Sequence, residues 1–130
     1  MASSIQLFGK KAESFNDLDL IVLVQFLAEV VSQSGEYPNL RNLVEQWTAN
    51  VRLYGPGVLD LALDGALKMP AAKGELVAAL NTVKAKIAEF GSIIPADLLN
   101  SRNIAPGVTF NDYSVPILRD ATARLERLID

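Results

Sequence analysis

The polar and apolar positions of this chain fall into segments of helical period, and one of those segments has almost no polar side. From Leu18 to Val31, eleven of fourteen residues are apolar. A helix apolar around most of its circumference must be covered by other elements or lie in a membrane. Length and termini favour a helix over a buried strand: the run from Leu18 to Gln33 is sixteen residues, long for a strand and ordinary for a helix. Ser14 and Asp17 resemble a capping box ahead of it, and Asp17 and Asp19 put negative charge in the first turn, where the backbone dipole favours it. Gly35 supplies a left-handed stop. Gln25, Glu29, Ser32 and Gln33 share the one narrow face left for solvent or a polar partner.

The remaining stripes read as cover for this helix. Leu40, Leu43, Val44, Trp47, Val51 and Tyr54 follow helical spacing after Pro38, and Gly55 closes the segment. Gly55-Pro56-Gly57 breaks the chain, and a shorter helix is predicted over about Val58 to Lys68, with Asp60 and Asp64 on its wet side. Leu76, Leu80, Val83, Ile87 and Phe90 form a heptad-like seam between Pro70 and Gly91. Ser114 and Pro116 open a last helix with the stripe Leu118, Ala121, Leu125 and Leu128. Between the last two lies the least regular part, residues 92–113, with one helical turn at Pro95–Leu99 and a long loop over 100–112. Loops of that length in compact domains are uncommon and are usually functional or mobile.

The expectation is therefore an all-α fold: a four- to five-helix bundle around a central apolar helix at about 17–33, with a long irregular segment at about 92–113. Residues 1–130 read as one helical domain and residues 1–13 as an N-terminal arm. Two short echoes, Phe15-Asn16-Asp17 with Phe110-Asn111-Asp112 and Pro56-Gly57-Val58 with Pro106-Gly107-Val108, match too easily by chance to mark a duplication. Asn-Asp pairs precede helices because they cap them.

Composition narrows the functional classes. The chain has no cysteine and no histidine, which removes disulfides, thiolate metal sites, the usual general base and the commonest zinc ligand. The central helix is shorter than the roughly 20 apolar residues of a membrane span and carries Asp19, Gln25 and Glu29. A secretory signal is disfavoured too, since Asp17 and Asp19 lie in the leading edge of the run and no small-residue cleavage site follows it. The expected location is the cytoplasm, which the lack of cysteine permits. The net charge is −3. It resides in residues 1–37, where two lysines face five carboxylates, while the rest of the chain is balanced. An acidic chain without a basic stripe is a poor ligand for nucleic acid or an anionic membrane surface.

Carboxylates are the only strong ligands left, and neither a calcium-loop pattern nor the glutamate-histidine spacing of a di-metal bundle is present. The glycine-proline segments lack the context of a phosphate loop, and the lysines are accounted for by amphipathic patterns. No cofactor and no catalytic residue is expected. Trp47 reads as core. Tyr37, Tyr54 and Tyr113 sit at helix ends, where a ring packs while its hydroxyl reaches water.

What remains is a non-catalytic protein-binding module, of the adaptor, chaperone or inhibitor and immunity type, using an acidic helical face to attract a basic partner protein. Its candidate residues are Asp17, Asp19, Glu29, Glu36, Tyr37, Tyr113 and Arg102. The alternatives are a bundle that holds a small apolar ligand between helices and, less favoured, a carboxylate- or lysine-based enzyme. An unused apolar stripe would make a homodimer.

Overall fold

The computed structural model describes residues 3–55, 57 and 59–130; Met1, Ala2, Pro56 and Val58, and with them the start of the helix expected at Val58, lie outside the described residues. The central apolar stretch is a helix, α1 (Asp17–Ser32). Leu20 to Leu27, Val30 and Val31 are all buried along it. Three further helices cover it: α2 (Arg41–Tyr54), α4 (Pro70–Ala88) and α6 (Val115–Ile129), with the short α3 (Leu63–Ala66) between α2 and α4. The seam Leu76, Leu80, Val83 and Ile87 of α4 and the stripe Leu118, Ala121, Leu125 and Leu128 of α6 are buried in one common core with α1.

The chain is not all-α. Residues 3–16, the greater part of which was expected to be an N-terminal arm with one short helical or extended contact, form an antiparallel hairpin of β1 (Ser3–Phe8) and β2 (Lys11–Asn16), with Ser3 opposite Asn16 and Phe8 opposite Lys11. The two-residue turn places Gly9 at φ +60°, at the first central position that a type II′ turn reserves for glycine. A second small sheet pairs β3 (Ile93–Ile94) with β4 (Tyr113–Ser114). The fold is a mixed α/β architecture rich in helix, and the hairpin is part of the cover of α1, packing through β2 against both α1 and α6.

The strand period explains the hairpin and also its unexpected orientation. Ser4, Gln6 and Phe8 point inward with Phe15, whereas Ile5 and Leu7 point out. Gln6 is only 2% exposed. Its amide donates to the Leu59 carbonyl at 3.0 Å and accepts from the Leu61 amide at 2.9 Å, so one side chain acts as a short length of neighbouring strand. The Trp47 indole donates to the Leu61 carbonyl at 3.1 Å. With Leu59 O, Leu61 N and Leu61 O taken by side chains, three of the backbone groups that a helix here would use are already engaged. From 59 to 62 the chain is not helical, and burial alternates along it, with Leu59, Leu61 and Leu63 buried while Asp60 and Ala62 stay exposed. The helix expected over 58–68 therefore shrinks to Leu63–Ala66.

Helix ends are closed differently from the sequence expectation. Asn16, not Ser14, caps α1, its Oδ1 accepting from the amides of Leu18 and Asp19; Ser14 is occupied in β2. Gly35 is not left-handed. Instead, Arg41 reaches back to the carbonyls of Val31 and Ser34, both at 3.2 Å. The Glu75 carboxylate, from α4, accepts the Asn39 and Leu40 amides at 2.9 and 3.1 Å and so caps α2 from another element. The segment expected to be irregular over 92–113 is pinned at both ends by the β3–β4 pair and contains α5 (Ala96–Ser101). The side-chain amide of Asn100 then bonds both backbone groups of Phe110, at 2.9 and 2.7 Å, which closes the loop 102–109 on itself. Among the described residues, no helix is long and apolar enough to cross a membrane.

Replacing Gln6 by Leu keeps the volume but leaves a buried carbonyl and a buried amide without partners. It should destabilise the protein by about 3 kcal/mol, measured as a lower urea midpoint with an unchanged slope. A loss below about 1 kcal/mol would show that the Leu59–Leu61 stretch does not depend on this clasp.

Candidate functional site

The seven residues nominated above do not form one face. Two pairs among them meet, at opposite ends of α1. Asp19 and Glu29 are ten residues apart on that helix, about 15 Å along its axis.

At the amino end of α1, Asp17 is buried (7% exposed), while Asp19 accepts a hydrogen bond from the hydroxyl of Tyr113, brought there by β4. Burial, followed by that hydrogen bond and the negative charge of Asp19, pushes the Tyr113 hydroxyl well above its ordinary pKa. Arg124 of α6 completes the group. Its Nε bonds Asp120 at 2.8 Å, and its Nη1 reaches Glu13 at 3.4 Å and the Ser14 carbonyl at 3.3 Å. The bond to Asp120 and its charge, with further support from Glu13 and Asp19, raise the pKa of this already permanent cation. Three carboxylates thus lie around one guanidinium, which offsets part of their charge and leaves the cluster net negative.

At the other end, Glu29 pairs with Arg102 at 2.8 Å. This pair lines a cleft of about 130 Å³ together with Phe26 and Phe90. Arg102 also borders a wider, open concavity of about 730 Å³ that the loop after α5 forms with Arg52. Glu36 is exposed in the turn after α1, and Tyr37 is buried with its hydroxyl 3.4 Å from that of Thr82. Neither joins the two pairs. Trp47 is a core residue with its indole nitrogen engaged.

A third region escaped the sequence reading. Ile5 and Leu7 are 68% and 57% exposed on the outer face of the hairpin, with Ser14 and Ala12 as their cross-strand neighbours. Beside them runs a groove of about 270 Å³ lined by Ile5, Leu7, Asp60, Ala62, Leu63, Asp64 and Gly65. One oxygen of each acid is already used. Asp60 accepts from the Ala62 amide and Asp64 from the Gly9 amide at the hairpin turn. The alternation Ile5-Gln6-Leu7 was the available signal, but it points the apolar pair inward unless the pairing of Gln6 with residues 59–61 is known.

No group of three or more Asp or Glu side chains among the described residues is placed to hold a metal ion. The chemistry on offer is recognition: apolar surface next to carboxylates at the hairpin, and a mixed polar cleft at the Glu29–Arg102 pair.

The Tyr113–Asp19 contact has a pH signature. A hydroxyl whose pKa is raised on folding contributes stability that is intact below the unfolded-state value, about 10, and is lost as pH rises beyond it. The melting temperature should fall above about pH 10, and Tyr113→Phe should flatten that alkaline limb while costing about 1 kcal/mol near neutrality. Identical alkaline limbs for the two proteins would contradict this assignment.

No known protein family, no characterised protein and no solved structure matches this chain, so the functional reading rests on its own residues.

Proposed function

We propose that the protein is a non-catalytic binding module that docks an apolar segment with basic flanks, presented by a partner protein, on the outer face of its amino-terminal hairpin. One observation carries the reading: the hairpin keeps a glutamine inside and shows Ile5 and Leu7 to solvent. Adjacent exposed apolar side chains on a strand mark interaction surfaces more often than scattered ones do. The groove beside them supplies the sign of the partner, since it is lined by two carboxylates, Asp60 and Asp64, and by no cation. Each acid keeps an oxygen free of the backbone bonds described above. The net charge of −3 adds a long-range attraction of the same sign. Asp17, Asp19, Glu29 and Glu36 act in this reading through that field and not as contacts, because the first three are half-buried or buried and two of them are paired. A cytoplasmic location suits a chain without cysteine.

The test uses peptides displayed from a random library, selected on the unaltered protein and counted again on an Ile5→Ser, Leu7→Ser double variant. Enriched peptides should carry a large apolar residue beside Lys or Arg. They should lose about thirtyfold or more in affinity on the double variant, and weaken with added salt in a manner blunted by Asp60→Asn with Asp64→Asn. The substitutions are at exposed positions and should alter stability by no more than about 0.5 kcal/mol. Enrichment without basic residues, or equal binding to the double variant, would sink the proposal. So would a dimer in sedimentation that the double variant dissolves, which would assign the face to a second copy of the chain.

A further inference from the structure

A different kind of site lies at the far end of α1. The cleft lined by the Glu29–Arg102 pair takes Gln25 and Phe26 from α1, Phe90 from just beyond the end of α4, and Leu98 and Leu99 from α5. Phe26 and Phe90 meet edge to face, with ring centroids 6.2 Å apart and planes at 89°. They and the two leucines make an apolar interior. The rim holds two cations, Lys86 and Arg102, and two carboxylates, Glu29 and Glu89, so it carries no net preference for an ion.

Gln25 is the residue that ordinary packing does not explain. It is 8% exposed, yet its side chain has no hydrogen-bond partner among the described residues, unlike Gln6, the other buried glutamine, which uses both ends of its amide. Every wholly inaccessible side-chain nitrogen or oxygen among the described residues does have a partner. The amide of Gln25 therefore keeps some access, and the cleft it lines is where that access lies. A leucine at this position would fill the same volume without the cost of a desolvated amide. A primary amide presents one acceptor and two donors side by side. Its complement is a group with the reverse pair on one edge, a lactam or a carboxamide.

Size restricts the ligand further. Apolar cavities of roughly 150 Å³ hold one benzene ring, and this cleft measures about 130 Å³. We infer that the cleft between α1, α4 and α5 binds a neutral, single-ring molecule bearing a lactam or carboxamide edge, with the ring against Phe26, Phe90 and Leu99 and the amide edge paired to Gln25. The Glu29–Arg102 ion pair lines the same cleft beside the ring. This site is separate from the hairpin groove and does not depend on it.

The probes are benzamide and 2-pyridone, with toluene as a ring of similar size that lacks the edge. Each is titrated into the ¹⁵N-labelled protein, and the side-chain amide peaks of Gln25 are identified by their absence from the Gln25→Leu variant. Both amide probes should shift the Gln25 side-chain peaks and the backbone amides of Phe26 and Phe90, with dissociation constants of about 1 mM or tighter. Toluene should bind the unaltered protein about tenfold more weakly, and Gln25→Leu should remove that difference by weakening only the amide probes. Absence of shifts at Gln25 up to about 10 mM probe would overturn the inference and leave the cleft a solvated notch. Equal binding of toluene to the unaltered protein, or undiminished binding of benzamide to Gln25→Leu, would overturn it as well. The toluene comparison needs no variant, so it decides the matter even if Gln25→Leu folds poorly.

Discussion

A helix with almost no wet side cannot stand at the edge of a fold, and the rest of this molecule is arranged to satisfy that requirement. Leu20 to Leu27 of α1 are buried without a break, so cover must arrive from every direction. Each apolar side chain removed from water is worth about 1.5–3 kcal/mol, which makes the covering of α1 the largest single driving force available. Helices α2, α4 and α6 take most of the circumference, and the hairpin takes part of what is left. A two-stranded hairpin is at best marginal alone in water. Here it persists because Phe15 is in the common core and because its inner face is stitched to residues 59–61 by Gln6.

That stitch has a structural side effect. Placing Gln6 inward fixes the parity of the strand, since neighbouring side chains point to opposite faces. Ile5 and Leu7 are then committed to the outside. The apolar display of the hairpin and the non-helical course of Leu59–Leu61 both follow in part from this one polar interaction. By contrast, the carboxylates of α1 are quiet: Asp19 is held by Tyr113 in the field of Arg124, and Glu29 by Arg102.

Much of the helical part was legible in the sequence, because it depends on local period. The stripes ending at Tyr54, Phe90 and Leu128 locate α2, α4 and α6 to within a few residues, and Gly91, Ser114 and Pro116 mark boundaries that local chemistry sets, whereas Pro38 lies in the turn ahead of α2 and not at its first helical position. The hairpin was missed because Gly9-Lys10-Lys11 reads as a charged stop when its turn geometry is ignored, and because six-residue strands give little periodic signal. The helix over 58–68 failed for a non-local reason: Gln6 and Trp47 claim its backbone from 55 and 14 residues away. Capping by Glu75 and closure of α1 by Arg41 are likewise tertiary. Of the candidate residues, pairing by type could suggest Glu29 with Arg102, but only the β3–β4 sheet brings Tyr113 to Asp19. The alternation Ile5-Gln6-Leu7 marks the hairpin face without giving its direction, and the unpartnered state of Gln25 has no signature in one dimension.

The anchoring of β2 bears on how such a chain is made. Lys11 donates to the carbonyls of Arg127 and Asp130, 116 and 119 residues further along, and Arg124 reaches the carbonyl of its neighbour Ser14. Contacts of such separation close late in folding, since the loop entropy must be met before they return anything. On a ribosome the hairpin residues emerge before α6, which supplies these fasteners. Throughout synthesis the Ile5–Leu7 surface is offered by a strand pair not yet secured at its outer edge, and this is the interval in which the protein is most open to pairing with the wrong strand.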